Sequence, residues 1–121
     1  MIEEIINLNE KFELFNEHWT PKIVGELNGQ QVKLAKLKGE FVWHNHREED
    51  EMFLVIKGSM QIQFKDKKIH LNEGEMYIVP RSVEHKPIAA KEAWVLLFEP
   101  KSTKHTGAIK DKMSVEKQEW I

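Results

Sequence analysis

The chain has 121 residues, 40% apolar and 31% charged, with a formal net charge of -2 and no cysteine. This length holds one hydrophobic core rather than two, and the composition is that of a globular chain. The near-neutral balance excludes a general attraction to nucleic acid or to an anionic membrane, and the missing cysteines exclude disulfides, thiolate metal sites and cysteine nucleophiles.

In chain order, "MIEEIINLNE" is acidic and lacks a basic stretch followed by an apolar one, so it does not read as a secretion signal. The longest apolar run, Ala93 to Phe98, has six residues and is too short to span a bilayer. Together these lead to the expectation of a cytoplasmic protein. Residues 1–20 read as an arm and a short helix over "NEKFELF", with Asn9 as N-cap and Phe12 and Phe15 on one face.

Residues 22–100 read as a series of short strands. "KIVGEL" meets a hairpin signal at Asn28-Gly29. "QVKLAKL" runs to Gly39 and "FVWHNH" to an acidic turn, after which "EMFLVIK" ends at Gly58. "SMQIQFK" and "KIHL" flank a turn at Asp66-Lys67, "MYIV" stops at Pro80, and "HKPIAA" and "AWVLLFEP" complete the series. Such spacing predicts an all-β sandwich or barrel. Residues 101–121 form a mostly polar tail, and its Trp120 is expected to pack on the barrel or on a second subunit.

Side chains alternate along a strand, so His44 and His46 point the same way, with α-carbons roughly 6.5–7 Å apart. Trp43 and Asn45 point oppositely. If the turn Arg47 to Asp50 folds the chain back, Glu51 returns to the histidine pair. An exposed His-X-His beside acidic residues is often only a solvated turn, and the stretch alone leaves both readings open. A second stretch, "GEMYIVPRSVEH" from Gly74, places His85 at the start of another strand, where it can add an imidazole.

Here the sequence resembles the cupin superfamily. That family's first motif is matched by Gly39, His44, His46, Glu51 and Gly58, with one residue fewer in the first gap. Its second is matched by Gly74, Pro80 and His85, with Ser82 in place of a glycine and Ala89 in place of an asparagine. Neither replaced position is a usual ligand. Most of the chain resembles small single-domain cupins labelled mannose-6-phosphate-isomerase-like, a label of similarity rather than of activity.

The resemblance implies a conical antiparallel β-barrel, a double-stranded β-helix or jelly roll with a short N-terminal helix. It implies a divalent transition metal in the mouth, held by His44, His46, Glu51 and His85. Three imidazoles and one carboxylate suit iron, manganese, nickel, cobalt or zinc, and leave positions open for a substrate or dioxygen. It further implies a homodimer. The function that follows is a metal-dependent enzyme of the dioxygenase or isomerase/epimerase type, acting on a small oxygen-rich metabolite. The alternative is a non-catalytic metal or small-ligand binding module. Neither a nucleic acid nor a membrane is an expected partner.

The remaining candidates carry weaker signals. Tyr77 and Arg81 are the candidate catalytic groups; Arg81, Glu84 and Arg47 read first as surface charges, with an anion-pairing cation at the mouth as the functional alternative. Glu48, Glu49 and Asp50 read as a solvated turn. His18 reads as a structural or surface residue at the helix exit, His70 as solvated, and His105 as a surface residue of the tail, with its neighbours "HTG" able to form a loop near the barrel edge. Phe53, Tyr77 and Phe98 are possible pocket walls, and Trp43 is a candidate subunit contact.

Overall fold

The computed structural model describes residues 4–107, 113–115 and 117–121. In chain order these form a helix α1 (Leu8–Phe12) and the strands β1 (Lys22–Leu27), β2 (Gln30–Glu40), β3 (Glu51–Lys57), β4 (Met60–Gln63), β5 (Lys68–Leu71), β6 (Met76–Val79), β7 (Lys86–Pro100) and β8 (Glu119–Trp120).

Two long antiparallel strands, β2 and β7, belong to both halves of the fold. The far part of β7, from Trp94 to Phe98, lies between β2 and β3; β3 also carries β6, and β2 carries β1 and then β8. The near part of β7, Lys86 to Ile88, pairs with β4, which carries β5. The crossing between halves falls where Leu37 opposes Ala93 but Gly39 opposes Ala89. The extra residues on β7 lie among Ala90, Lys91 and Glu92, all exposed, and Gly39 takes φ +86. A bulge of this kind bends a strand and re-aims it. The result is a jelly-roll β fold whose hydrogen-bonded ladders, among the described residues, do not close into a ring.

The core follows from alternation. Glu51, Phe53 and Val55 of β3 are buried, while Met52, Leu54 and Ile56 are half-buried on the other face. Ala93, Val95, Leu97 and Glu99 repeat the pattern on β7. Phe53, Val55, Val95 and Leu97 from one half meet Met60, Ile62, Leu71 and Ala89 from the other. A second cluster, Phe12, Phe15, Val24 and Leu34, packs α1 on the outer face of the larger sheet. Phe12 stacks on Trp94 with ring centroids 4.7 Å apart.

Four expectations change in detail. The helix N-cap is Asn7, whose side chain accepts the Glu10 N–H, and Phe15 lies beyond the helix yet shares the same buried cluster. Gly39 interrupts nothing: β2 runs through it to Glu40, and "FVWHNH" is an extended crossing with one bridge, His44 to His85, rather than a strand. "HKPIAA" and "AWVLLFEP" are one strand, because the bulge absorbs the intervening residues without breaking it. In the tail, Trp120 pairs its backbone with Ile23 and is 57% exposed, so it does not pack on the barrel and only the second-subunit alternative is left; it is Ile121 that packs against the helix cluster.

Candidate metal centre

Three segments bring four donors together. The crossing Phe41 to His46 is tied to the start of β7 by Phe41 N–H to Pro87 O and by paired bonds between His44 and His85. Glu51 is the first residue of β3, and alternation with Phe53 turns it inward. The acidic turn is pinned to the loop after β6: Arg81 N–H donates to the Asp50 carboxylate at 2.8 Å, and Ser82 N–H to His46 O at 2.7 Å. Ser82 holds φ +67 there. This conformation favours glycine, which accounts for a glycine in the motif at that position.

His44, His46, Glu51 and His85 are all buried, and one ligand atom from each lies within 4.8 Å of the others. The Nε2 atoms of His46 and His85 stand 3.4 and 3.6 Å from Glu51 Oε1. Both separations fit within two metal–ligand bonds of about 2.1 Å.

The hydrogen-bond pattern tests whether these residues fit an ion. His44 Nδ1 lies 2.9 Å from Val42 O, and His85 Nδ1 2.9 Å from Val83 O. A carbonyl can only accept, so each Nδ1 carries the proton and each Nε2 presents a lone pair. His85 Nε2, both ring nitrogens of His46 and Glu51 Oε1 are buried without a hydrogen-bond partner among the described residues. Unpaired buried polar atoms are costly, and a shared cation removes that cost here. The residues therefore fit a divalent ion, and nitrogen-rich ligation selects a transition metal over calcium or magnesium.

Electrostatics agree. Burial, reinforced by nearby His85, lowers His44 to about 4 and keeps its ring neutral. Burial would raise the Glu51 carboxyl, but contacts from His46 and His85 outweigh it and hold it well below the usual range. Behind Glu51 lies a buried ion pair, Lys33 Nζ to Glu99 Oε1 at 2.8 Å. Burial, and next the charge of Glu51, push Glu99 well above its usual range.

Residues 30–99 match the family model of the cupin domain. This chain belongs to the cupin family. Over 80% of its length and 95% of the other chain, this cupin superposes on a cupin-2 domain containing protein from Shewanella frigidimarina, with a TM-score of 0.80 and 50% identity. An uncharacterized protein, YdbB, of Bacillus subtilis is 36% identical over 64 residues, which are 52% of this chain and 57% of that protein. A 3-hydroxyanthranilate 3,4-dioxygenase of Xenopus laevis is 27% identical over 101 residues, 78% of this chain and 36% of that enzyme. The chain thus spans about half or less of these two curated relatives.

The other sequence candidates fall in different places. Phe53 lines the pocket at the donors together with Trp19, Phe41, Leu97 and His105. Tyr77 lies 5.8 Å from Phe64 and lines a separate hollow between β6 and the Asp66 turn. Arg81 is exposed and reaches Asp50 at 3.5 Å. Phe98 is half-buried, in phase with the outward-facing Leu96. His18 pairs with Glu92 at 2.8 Å and His70 with Asn72, both near the surface. The Trp43 ring is flanked by the ammonium groups of Lys65 and Lys86.

His105 is the correction that matters most. The surface reading fails and the alternative of a loop near the barrel edge is the one that fits: its ring packs on Phe41 with centroids 4.9 Å apart. Its Nδ1 accepts the Val115 N–H at 2.9 Å, and burial lowers it to about 4. The glycine two residues later explains the docking. A Cβ at Gly107 would lie 1.9 Å from Asn45 O, so only glycine lets the tail seat against the ligand-bearing crossing.

Proposed function

We propose that this cupin is a divalent-metal-dependent enzyme of the dioxygenase or isomerase/epimerase type, acting on a small oxygen-rich metabolite. The observation that carries this reading is the convergence of His44, His46, Glu51 and His85 with lone pairs unspent. The relative named a dioxygenase supports the first reaction type at low identity.

An ion of iron, manganese, nickel, cobalt or zinc supplies Lewis-acid polarisation of a substrate oxygen, with redox chemistry added if it is iron. The chain supplies the rest. Val42 O and Val83 O fix the orientation of two imidazoles, and Glu51 stays ionised. Trp19, Phe41, Phe53 and Leu97 wall the donors with apolar surface and exclude water. Tyr77 and Arg81 remain candidate catalytic groups only for a substrate long enough to reach them.

Elemental analysis of untagged wild type and His46→Ala tests the centre. Near-stoichiometric metal in wild type and its loss in the variant are expected. A wild type that stays empty after reconstitution overturns the reading. Turnover that requires iron favours the dioxygenase, and turnover with zinc favours the isomerase or epimerase.

One observation favours the non-catalytic alternative. Besides the donors, His105 is, among the described residues, the only titratable group on the walls of the pocket beside them, and its Nδ1 is already used. Water-proton relaxation of the manganese-loaded protein separates the two: a site with no exchangeable water belongs to a binding or bracing ion.

We also propose a homodimer and a cytoplasmic location. The outer face of β7, β3 and β6 carries two apolar rows, Phe98–Met52–Ile78 and Leu96–Leu54–Met76, with Met76 48% and Ile78 52% exposed. A patch of this kind on an edge of the larger sheet is what a second copy would cover. Ile78→Lys should shift the light-scattering mass to that of a monomer with metal content unchanged; a monomeric wild type would refute the dimer. Cell fractionation tests the location.

A further inference from the structure

A second cavity of about 610 Å³ lies between the tail and the strands β1 and β2. It adjoins the pocket at the metal donors, from which His105 separates it. Gln31, Lys33, Ala35 and Leu37 are alternate residues of one buried face of β2. Gln31 and Lys33 line the cavity, whereas Ala35 and Leu37 line the pocket at the metal donors. His105 lines both.

The lining has one sign of charge. Among the described residues it includes Lys33, Lys101, Lys104 and Lys117 and no carboxylate. Lys33 is committed to Glu99, and Lys101 reaches Glu26 at 3.9 Å. Lys104 and Lys117 take part in no ion pair among the described residues. The wall also holds an unspent hydroxyl. Thr103 is 8% exposed, and its Oγ1 is buried without a hydrogen-bond partner among the described residues. A buried hydroxyl left unpaired is unfavourable unless a ligand or water completes it.

We propose that this cavity binds a small polyhydroxylated organic anion. Its charged group sits by Lys104 and Lys117, a hydroxyl meets Thr103, and its other end approaches the metal centre past His105. The proposal names the substrate class for the function proposed above and rests on that reading only for the ligand's orientation. Two cations that meet no carboxylate among the described residues select an anion over a neutral sugar. The polar groups that Gln31, Ser102, Thr103 and Gln118 add to a wall otherwise part apolar suit an oxygen-rich molecule.

Isothermal titration of the metal-loaded protein with gluconate, glucose 6-phosphate and glucose tests this, the two anions distinguishing a carboxylate from a phosphate. At least one anion should bind roughly tenfold or more tighter than glucose. The double variant Lys104→Ala/Lys117→Ala should weaken that anion about tenfold and flatten its salt dependence. Thr103→Val should weaken it about fivefold. Metal content should match wild type in both variants; the lysine variant should also melt with wild type, since the two lysines are exposed, and Thr103→Val should melt no lower. Equal binding of glucose, or an anion affinity that the folded lysine variant leaves unchanged, overturns the proposal. Metal present with no anion bound overturns it while leaving the metal centre intact. Anion binding that responds to the lysines in a wild type without metal upholds the cavity and removes the metal centre instead.

Discussion

Two parts of the interior are equally buried and chemically opposite. Around β4 and β5, Met60, Ile62, Phe64 and Leu71 are between 0% and 6% exposed and carry no polar side-chain group. At the mouth, His44, His46, Glu51 and His85 span the same 0% to 6%. Burial therefore does not mark the site. What marks it is that the mouth hides polar atoms which the chain itself leaves unpaired. The first region provides folding energy in any solution, whereas the second needs a guest before its burial becomes favourable.

The largest test of this contrast is Ile62→Ala. The cavity left behind should lower stability by about 2–5 kcal/mol in urea unfolding, with metal per folded molecule unchanged. A variant that also lost its metal would join the two regions into one cooperative site. The pH dependence of the metal-free protein comes next. Burial holds the His105 ring neutral in the folded state down to about 4, against 6.5 for an ordinary imidazole. The unfolded chain therefore gains the proton first, and stability is lost as pH falls through that window. His105 contributes up to about 3 kcal/mol of that loss and His44, lowered to about 4 as well, a similar share, so in acid titration of the unfolding free energy His105→Gln should remove about half of the slope and leave the rest.

Metal addition should raise stability by about 2.7 kcal/mol when the free ion exceeds its dissociation constant a hundredfold. Ile62→Ala should keep that increment and His46→Ala should lose it, as read by thermal unfolding. Arg81→Ala, at an exposed pair with Asp50, should change stability by less than about 0.5 kcal/mol. A larger loss of turnover than of stability in that variant would give Arg81 a place in the reaction.

The mouth was legible in the sequence because its geometry is local. His44 and His46 share a side by alternation, Glu51 opens the next strand, and the turn between them is short. His85 was legible through its spacing from Gly74 and Pro80. His105 was not, because its position depends on where a polar tail lands, and polarity reads as exposure. The signal that points to it is Gly107, a glycine just beyond a histidine, required by the backbone of Asn45. The bulge in β7 escaped for another reason: the extra residues keep the inward parity, so Ala89 and Ala93 both face the core and the pattern shows no break. Asn7 and Asn9 compete for one cap, and Asn7 captures it because its side chain reaches the Glu10 N–H.

The shared strand β7 also sets a timetable. It is the last of the long strands to leave the ribosome, yet β2, β3 and β4 all pair with it. Until Lys86–Pro100 is available, β2 and β3 lack their common partner, β4 holds only β5, and His44 has no His85 to bridge. The nascent chain therefore exposes apolar strand edges through most of synthesis, and its contacts are long in sequence once made. Such topologies fold slowly and late. Metal capture comes later still, because the fourth donor arrives with the strand that closes the fold.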